Sequence, residues 1–187
     1  MGRWEPDAAG RLRESAMALY AEQGYERTTV AEIADRAGVT ARTFFRHFAD
    51  KREVLFAGSG ILEQLMVDAL VAAPASSPPF DAIRSGLLAG AEFFVDRWDE
   101  ARRRHLVIAA TPELQERELI KMASLASAFS GALQRRGVPP AIAPLAAETG
   151  VVVFRVSFER WITGPDEVPL AEVIRATHAE LVGLATA

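Results

Sequence analysis

Residues 28–55 read TTVAEIADRAGVTARTFFRHFADKREVL, and the apolar spacing inside this stretch decides the fold. Val30, Ile33, Ala34 and Ala37 recur at i, i+3, i+4 and i+7, which places them on one face of a helix. Thr29 stands where its hydroxyl can accept a hydrogen bond from an amide of the first turn. Gly38 follows at the point where a left-handed residue ends a helix without a Cβ clash. Thr40 then caps a second short helix over residues 41–48, and its Phe44 and Phe48 can pack back onto Ile33 and Ala34. Ala41, Arg42, Thr43, Phe45, Arg46 and His47 are left on the other faces. Asp50 with Glu53 three residues later is a capping-box-like start for a further helix. Two short helices about a glycine turn, the second basic on its outside, make the helix-turn-helix pattern that presents its second helix to a DNA major groove.

Upstream, an apolar stripe of Leu12, Ala16, Leu19 and Tyr20 predicts a helix over 7–23 that Gly24 stops, with Tyr25 packing the corner. Residues 1–6 read as an arm whose Arg3 could reach DNA. Downstream, Val54, Leu55, Leu62, Leu65, Met66 and Ala69 predict a connecting helix over 51–72. APASSPP at 73–79 breaks the chain. Further helices are expected over 80–98, from the charged run DEARRRH at 99–105 to about 110, from Pro112 to about 136, over 141–163, and from 168 or 169 to 184. Between 149 and 158 only Arg155 is charged, so the 141–163 helix is apolar around most of its circumference. No stretch keeps a strand's alternation. The fold class is all-α with about nine helices, divided into a helix-turn-helix domain at 1–56 and an all-helical domain at 57–187.

Composition narrows the functional classes. There is no cysteine, which excludes disulfides, thiol catalysis and thiolate metal sites. Three histidines, His47, His105 and His178, lie far apart. Neither HExxH, a glycine-rich phosphate loop nor Gly-x-Ser-x-Gly is present, so the reading is not an enzyme, without cofactor or metal. No apolar run is long enough to span a bilayer and the first ten residues lack the apolar core of a signal peptide, so a cytoplasmic protein away from membranes is expected. The net charge of −4 argues against nonspecific coating of nucleic acid. Basic character is instead local: between residues 38 and 52, Arg42, Arg46, Lys51 and Arg52 face Asp50 alone, whereas residues 1–37 carry more acids than arginines.

The stretch AEQGYERTTVAEIADRAGVTARTFFRHFADKREVLF, residues 21–56, resembles the DNA-binding domain of the TetR family of bacterial transcriptional regulators. The likeness covers roughly residues 10–56. It rests on Gly-Tyr before Thr-Thr, Ile-Ala in the first motif helix, Ala-Gly-Val-Thr at the turn, an aromatic pair, His-Phe, and a lysine after a capping residue. It implies a homodimer on the palindromic operator of double-stranded DNA, joined through the last two long helices, and a small-molecule effector of unknown identity that releases a repressor. Control by a protein partner, with no small-molecule ligand, is the alternative.

For DNA contacts, Arg42 near the start of the second motif helix is the candidate base reader, because arginine pairs bidentately with guanine O6 and N7. Ala41 and Thr43 flank it, and Thr43 can touch a thymine methyl or a phosphate. By the resemblance His47 and Lys51 contact phosphate, with Arg46 beside them. Thr29 and Thr40 sit at helix N-termini, where amides and hydroxyls meet phosphate oxygens. Phe45 stands where the family usually has tyrosine and offers only apolar contact. Arg42 occupies a position that is often small, which should narrow sequence preference. For the effector, the candidate lining is Phe93, Phe94, Trp98, Met122, Phe129, Phe154, Phe158 and Trp161, with His105 and Arg155 as polar anchors. Each of these aromatics also suits an ordinary core.

Overall fold

The structure is a computed structural model and describes residues 7–164 and 168–186. Arg3 of the expected arm therefore lies outside the described residues. Among those described there are nine helices and no strand: α1 Ala8–Gln23, α2 Val30–Arg36, α3 Ala41–His47, α4 Ser59–Ala72, α5 Pro79–Glu92, α6 Trp98–Ala109, α7 Pro112–Arg135, α8 Ala143–Thr163 and α9 Leu170–Thr186. The all-α reading holds.

The chain divides into two units, and the division is not a single cut. The first holds Met1–Ala57 and Arg102–Glu116; the second holds Gly58–Ala101 and Arg117–Ala187. In the first unit α1, α2 and α3 close over Leu12, Ala16, Tyr20, Ile33, Phe44 and Val54. Ile108 and Leu114, from the returning segment, complete that core and are 2% and 0% exposed. Each such fully buried aliphatic side chain contributes about 1.5–3 kcal/mol by leaving water.

The second unit packs α4, α5, α8 and α9 around Met66, Leu70, Ile83, Leu87, Phe129 and Ile162. Gly86 sets how closely α4 and α5 approach, since a Cβ there would stand 2.5 Å from the Met66 carbonyl oxygen. Arg136 closes the C-terminal end of α4. Its guanidinium donates to the carbonyls of Val71, Ala73 and Pro74 at 3.0, 2.6 and 2.7 Å, at the end where a helix runs out of its own amide donors.

The connecting helix expected over 51–72 is shorter than its sequence suggests. Residues 51–58 form successive turns, with Leu55 N–H donating to Arg52, Phe56 to Glu53 and Ala57 to Val54, all three residues back. Two causes are visible. Val54, Leu55 and Phe56 are consecutive and all buried, which a single α-helical face cannot accommodate. The Leu55 carbonyl receives Arg104 Nε at 2.7 Å, in place of the amide four residues on that an α-helix would supply. Gly58, at φ 89, then resets the direction and α4 starts at Ser59. The helix expected over 80–98 also ends early, at Glu92. A turn through Asp96, at φ 58, follows, and Trp98 opens α6.

Candidate nucleic-acid interface

The local chemistry of the motif matches its sequence. Thr29 and Glu32 form a reciprocal capping box: Glu32 N–H donates to Thr29 Oγ1 at 3.2 Å and Thr29 N–H to Glu32 Oε2 at 2.8 Å. The backbone bond from Thr29 holds the Glu32 carboxyl below its ordinary range. Gly38 adopts φ 69 after α2. Thr40 caps α3 through Thr43 N–H at 3.2 Å.

On α3, Phe44 is fully buried and Phe48 nearly so, with ring centroids 5.6 Å apart. Their burial fixes the rotation of a helix only seven residues long. Ala41, Arg42, Arg46 and His47 are consequently exposed, Phe45 is 58% exposed, and Thr43 is half-buried. The Phe45 ring touches the core at the Phe44 ring, 5.5 Å away between centroids, and its exposed surface suits apolar contact with a partner.

Two of the expected phosphate contacts have other occupations. The Thr29 hydroxyl donates to Glu32 Oε2 at 2.8 Å, so a carboxylate already faces the amides at the start of α2. Lys51 Nζ donates to the carbonyls of Tyr25, Glu26 and Thr28 at 2.8, 3.3 and 3.0 Å and lies over the Tyr25 ring. An ammonium has three donors, and all three point inward. Sequence reasoning also missed Arg11, whose Nε reaches the Ala37 carbonyl at the end of α2, and the Arg52 ion pairs with Asp50 and Glu113 at 2.6 and 3.2 Å. Only the local Asp50–Arg52 pair has a sequence signal; the others join segments far apart in the chain.

The candidate effector residues divide. Phe94 meets Phe158 at 5.3 Å and Trp161 at 5.7 Å between centroids, Phe154 meets Phe158 at 6.1 Å, and Phe93 meets Phe94 at 5.4 Å. Trp98 Nε1 donates to the Trp161 carbonyl at 3.3 Å. Phe129 and Met122 belong to the same apolar core, Phe129 fully buried. Arg155 is exposed on α8, and His105 belongs to the first unit. A cleft of about 510 Å³ opens beside Phe94, Trp98 and Trp161.

A motif of this geometry, followed by a second all-helical unit, defines a helix-turn-helix DNA-binding protein. Two family models match the chain. The one described as bacterial regulatory proteins, tetR family, covers residues 12–57, and the one described as the MftR C-terminal domain covers residues 77–184. The chain belongs to the TetR family of transcription regulators, with a helix-turn-helix DNA-binding domain.

MftR of Mycobacterium tuberculosis, a regulator named for mycofactocin biosynthesis, is 28% identical over 98% of this chain and 93% of its own. TcmR of Streptomyces glaucescens is 41% identical over 73 residues, which are 39% of this chain and 32% of TcmR. The chain's match thus spans less than half of TcmR. The structure of SmeT in complex with triclosan shares the fold at a TM-score of 0.64 and 20% identity, over 92% of this chain and 90% of SmeT. Among the described residues no helix is long and apolar enough to cross a membrane.

Proposed function

We propose that this regulator is a homodimeric repressor that holds a palindromic operator with α3 and releases it when a small molecule occupies the second unit. The observation that carries the reading is the outer face of α3, where Arg42, Phe45 and Arg46 are exposed over a buried Phe44 and Phe48. Arg42, one position into the helix, reads a guanine; Arg46 and His47 meet phosphate and fix register. Thr40 and Thr43 border the same contact, and Ala41 leaves room for the backbone to approach. Thr29 and Lys51 act behind this surface, holding the motif helices in place.

One motif buries too little surface for tight specific binding, so a second copy is required. Leu145 and Val152, seven residues apart on α8, are 70% and 45% exposed, and Val182 and Leu184 on α9 are 46% and 79% exposed. These support a dimer through α8 and α9. SmeT, a relative in fold, is a complex with triclosan, which supports a small-molecule effector here. An effector that favours a conformation unable to bind DNA shifts the population away from the operator.

Selection of bound duplexes from a random pool tests the proposal. A two-fold palindrome whose preference relaxes at one position per half-site in Arg42→Ala is the expected result. A palindrome unchanged by the substitution would remove Arg42 from base reading. Absence of any enriched sequence at moderate salt would overturn the DNA reading for this chain.

A further inference from the structure

The cleft beside Trp98 is lined by the end of α5, the turn to α6, the end of α8 and the segment that opens α9. Its apolar wall includes Phe94, Val95, Trp98, Trp161 and Leu170. Trp161 is buried, whereas Phe94 and Trp98 keep part of their surface open to solvent. Among the described residues, the charged ones that line it are Glu92, Asp96 and Asp99, each acidic and exposed, and none that lines it is a lysine, arginine or histidine.

We propose that this cleft binds an organic cation, a protonated amine or quaternary onium centre carried on an apolar body. The proposal rests on reading the second unit as the effector-binding part, and it names the chemical class of the effector.

Four helix ends meet at the cleft. The C-terminal ends of α5 and α8 carry partial negative charge and the N-terminal ends of α6 and α9 partial positive charge, so the helix dipoles oppose one another. The side chains then decide the sign, and they are uniformly negative. Asp99 lies in the first turn of α6, where an acid serves the helix itself. Glu92 has no such local reason, because the last residue of α5 is the end at which a helix disfavours an acid. Asp96 holds a left-handed backbone at φ 58 in the turn between them. The cation nearest in sequence, Arg97, stacks its guanidinium 4.5 Å from the Phe93 ring centroid and does not line the cleft.

Among the described residues no three acids or histidines are grouped closely enough to hold a metal ion. A cation larger than a metal, able to span aromatic wall and acidic rim together, fits that spacing. Indole and phenyl faces attract organic cations through the ring quadrupole, and carboxylates at the rim add long-range attraction. An anion of the same apolar shape would gain the wall and lose against the rim.

Tetraphenylphosphonium and tetraphenylborate, near-identical in shape and opposite in charge, separate these terms. Binding is read by tryptophan fluorescence of the full chain, since two of its three tryptophans line the cleft. Saturable quenching by the phosphonium, at an affinity about ten-fold or more above that of the borate, is expected. The double variant Glu92→Gln, Asp96→Asn should narrow that preference; asparagine tolerates the left-handed backbone, so the turn is kept. Equal affinity for the two ions overturns the charge assignment without recourse to any variant, and failure of the phosphonium to bind overturns the site. Operator release is measured on the same sample. Phosphonium binding without release would keep the cleft's chemistry and sink its reading as the effector site.

Discussion

The Lys51 ammonium lies 4.2 Å from the centroid of the Tyr25 ring and donates a 2.8 Å hydrogen bond to the Tyr25 carbonyl. The backbone carbonyl of Lys51 is held in turn by the Tyr20 hydroxyl at 2.7 Å. One residue thereby ties the end of α3's connecting turn to the corner between α1 and α2. Lysine is scarce in this chain, which has only Lys51 and Lys121 among its 21 basic residues. Here the compact ammonium reaches three carbonyls while lying over the Tyr25 ring, a placement that the larger planar guanidinium does not reproduce.

Lys51→Met should therefore lower stability by about 2–3 kcal/mol, because three carbonyls lose a charged donor. Lys51→Arg should restore little of it. A phosphate contact would behave differently, with the slope of log affinity against log salt falling by about one unit in the variant. Denaturant melts paired with binding at several salt concentrations separate the two roles, and an unchanged slope is expected.

The two tyrosines of the first unit should respond unequally to loss of a hydroxyl. Burial pushes both phenols well above their ordinary range, so neither ionises near neutral pH. Tyr20 donates to the Lys51 carbonyl, whereas the buried Tyr25 hydroxyl has no protein partner. Tyr20→Phe should cost about 1 kcal/mol or more, and Tyr25→Phe, which keeps the ring beneath Lys51, should be close to neutral. Chemical denaturation of both variants checks the order, and an equal loss in the two would contradict it.

Acid should loosen the first unit through Asp50. Its carboxyl accepts Arg52's guanidinium and the amides of Arg52 and Glu53, and the Arg52 bond is the main cause holding it below the ordinary carboxylate range. A carboxyl depressed on folding binds fewer protons folded than unfolded. Its stabilisation is complete above the unfolded value of about 3.9 and is lost as pH falls through the lower folded value. Asp50→Asn should flatten the acid limb of a stability-against-pH curve while leaving its shape above pH ~6 unchanged.

Gly86→Ala should destabilise the second unit by about 1–3 kcal/mol, since the new methyl meets the Met66 backbone carbonyl and not a side chain that can swing away. Gly131→Ala is the control. A Cβ there meets only the end of the Arg135 side chain at 3.7 Å, and the helix gains propensity. Calorimetric melts of the two variants should move in opposite directions.

The motif was legible because every device in it is local. The Thr29–Glu32 box, Gly38 and the Thr40 cap each act within three or four residues, and the Phe44 and Phe48 pair declares its buried face by helical spacing. α7 was legible for the same reason, bounded by Pro112 and Gly137. The start of α4 was not, because Arg104, forty-nine positions from Leu55, takes the carbonyl that would have continued the helix. The carbonyl partners of Lys51 were hidden on the same account, since they lie twenty-three to twenty-six residues back. The Arg42 face was readable from spacing, while the cleft's uniform acidity emerges only once Glu92, Asp96 and Asp99 are folded around one opening.

The returning segment Arg102–Glu116 bears on how this regulator can be taken apart and recombined. Ile108 and Leu114 fill the first unit's core, Arg104 seats Leu55, and Glu113 answers Arg52. A DNA-reading cassette excised at residue 57 would be cut through its own interior, and a chimera joined there would graft a reader whose floor is supplied by a foreign sequence. New operator specificity is transplanted more safely as the five exposed positions of α3, Ala41, Arg42, Phe45, Arg46 and His47, than as a domain, because the boundary of the domain is written in two separate places along the chain.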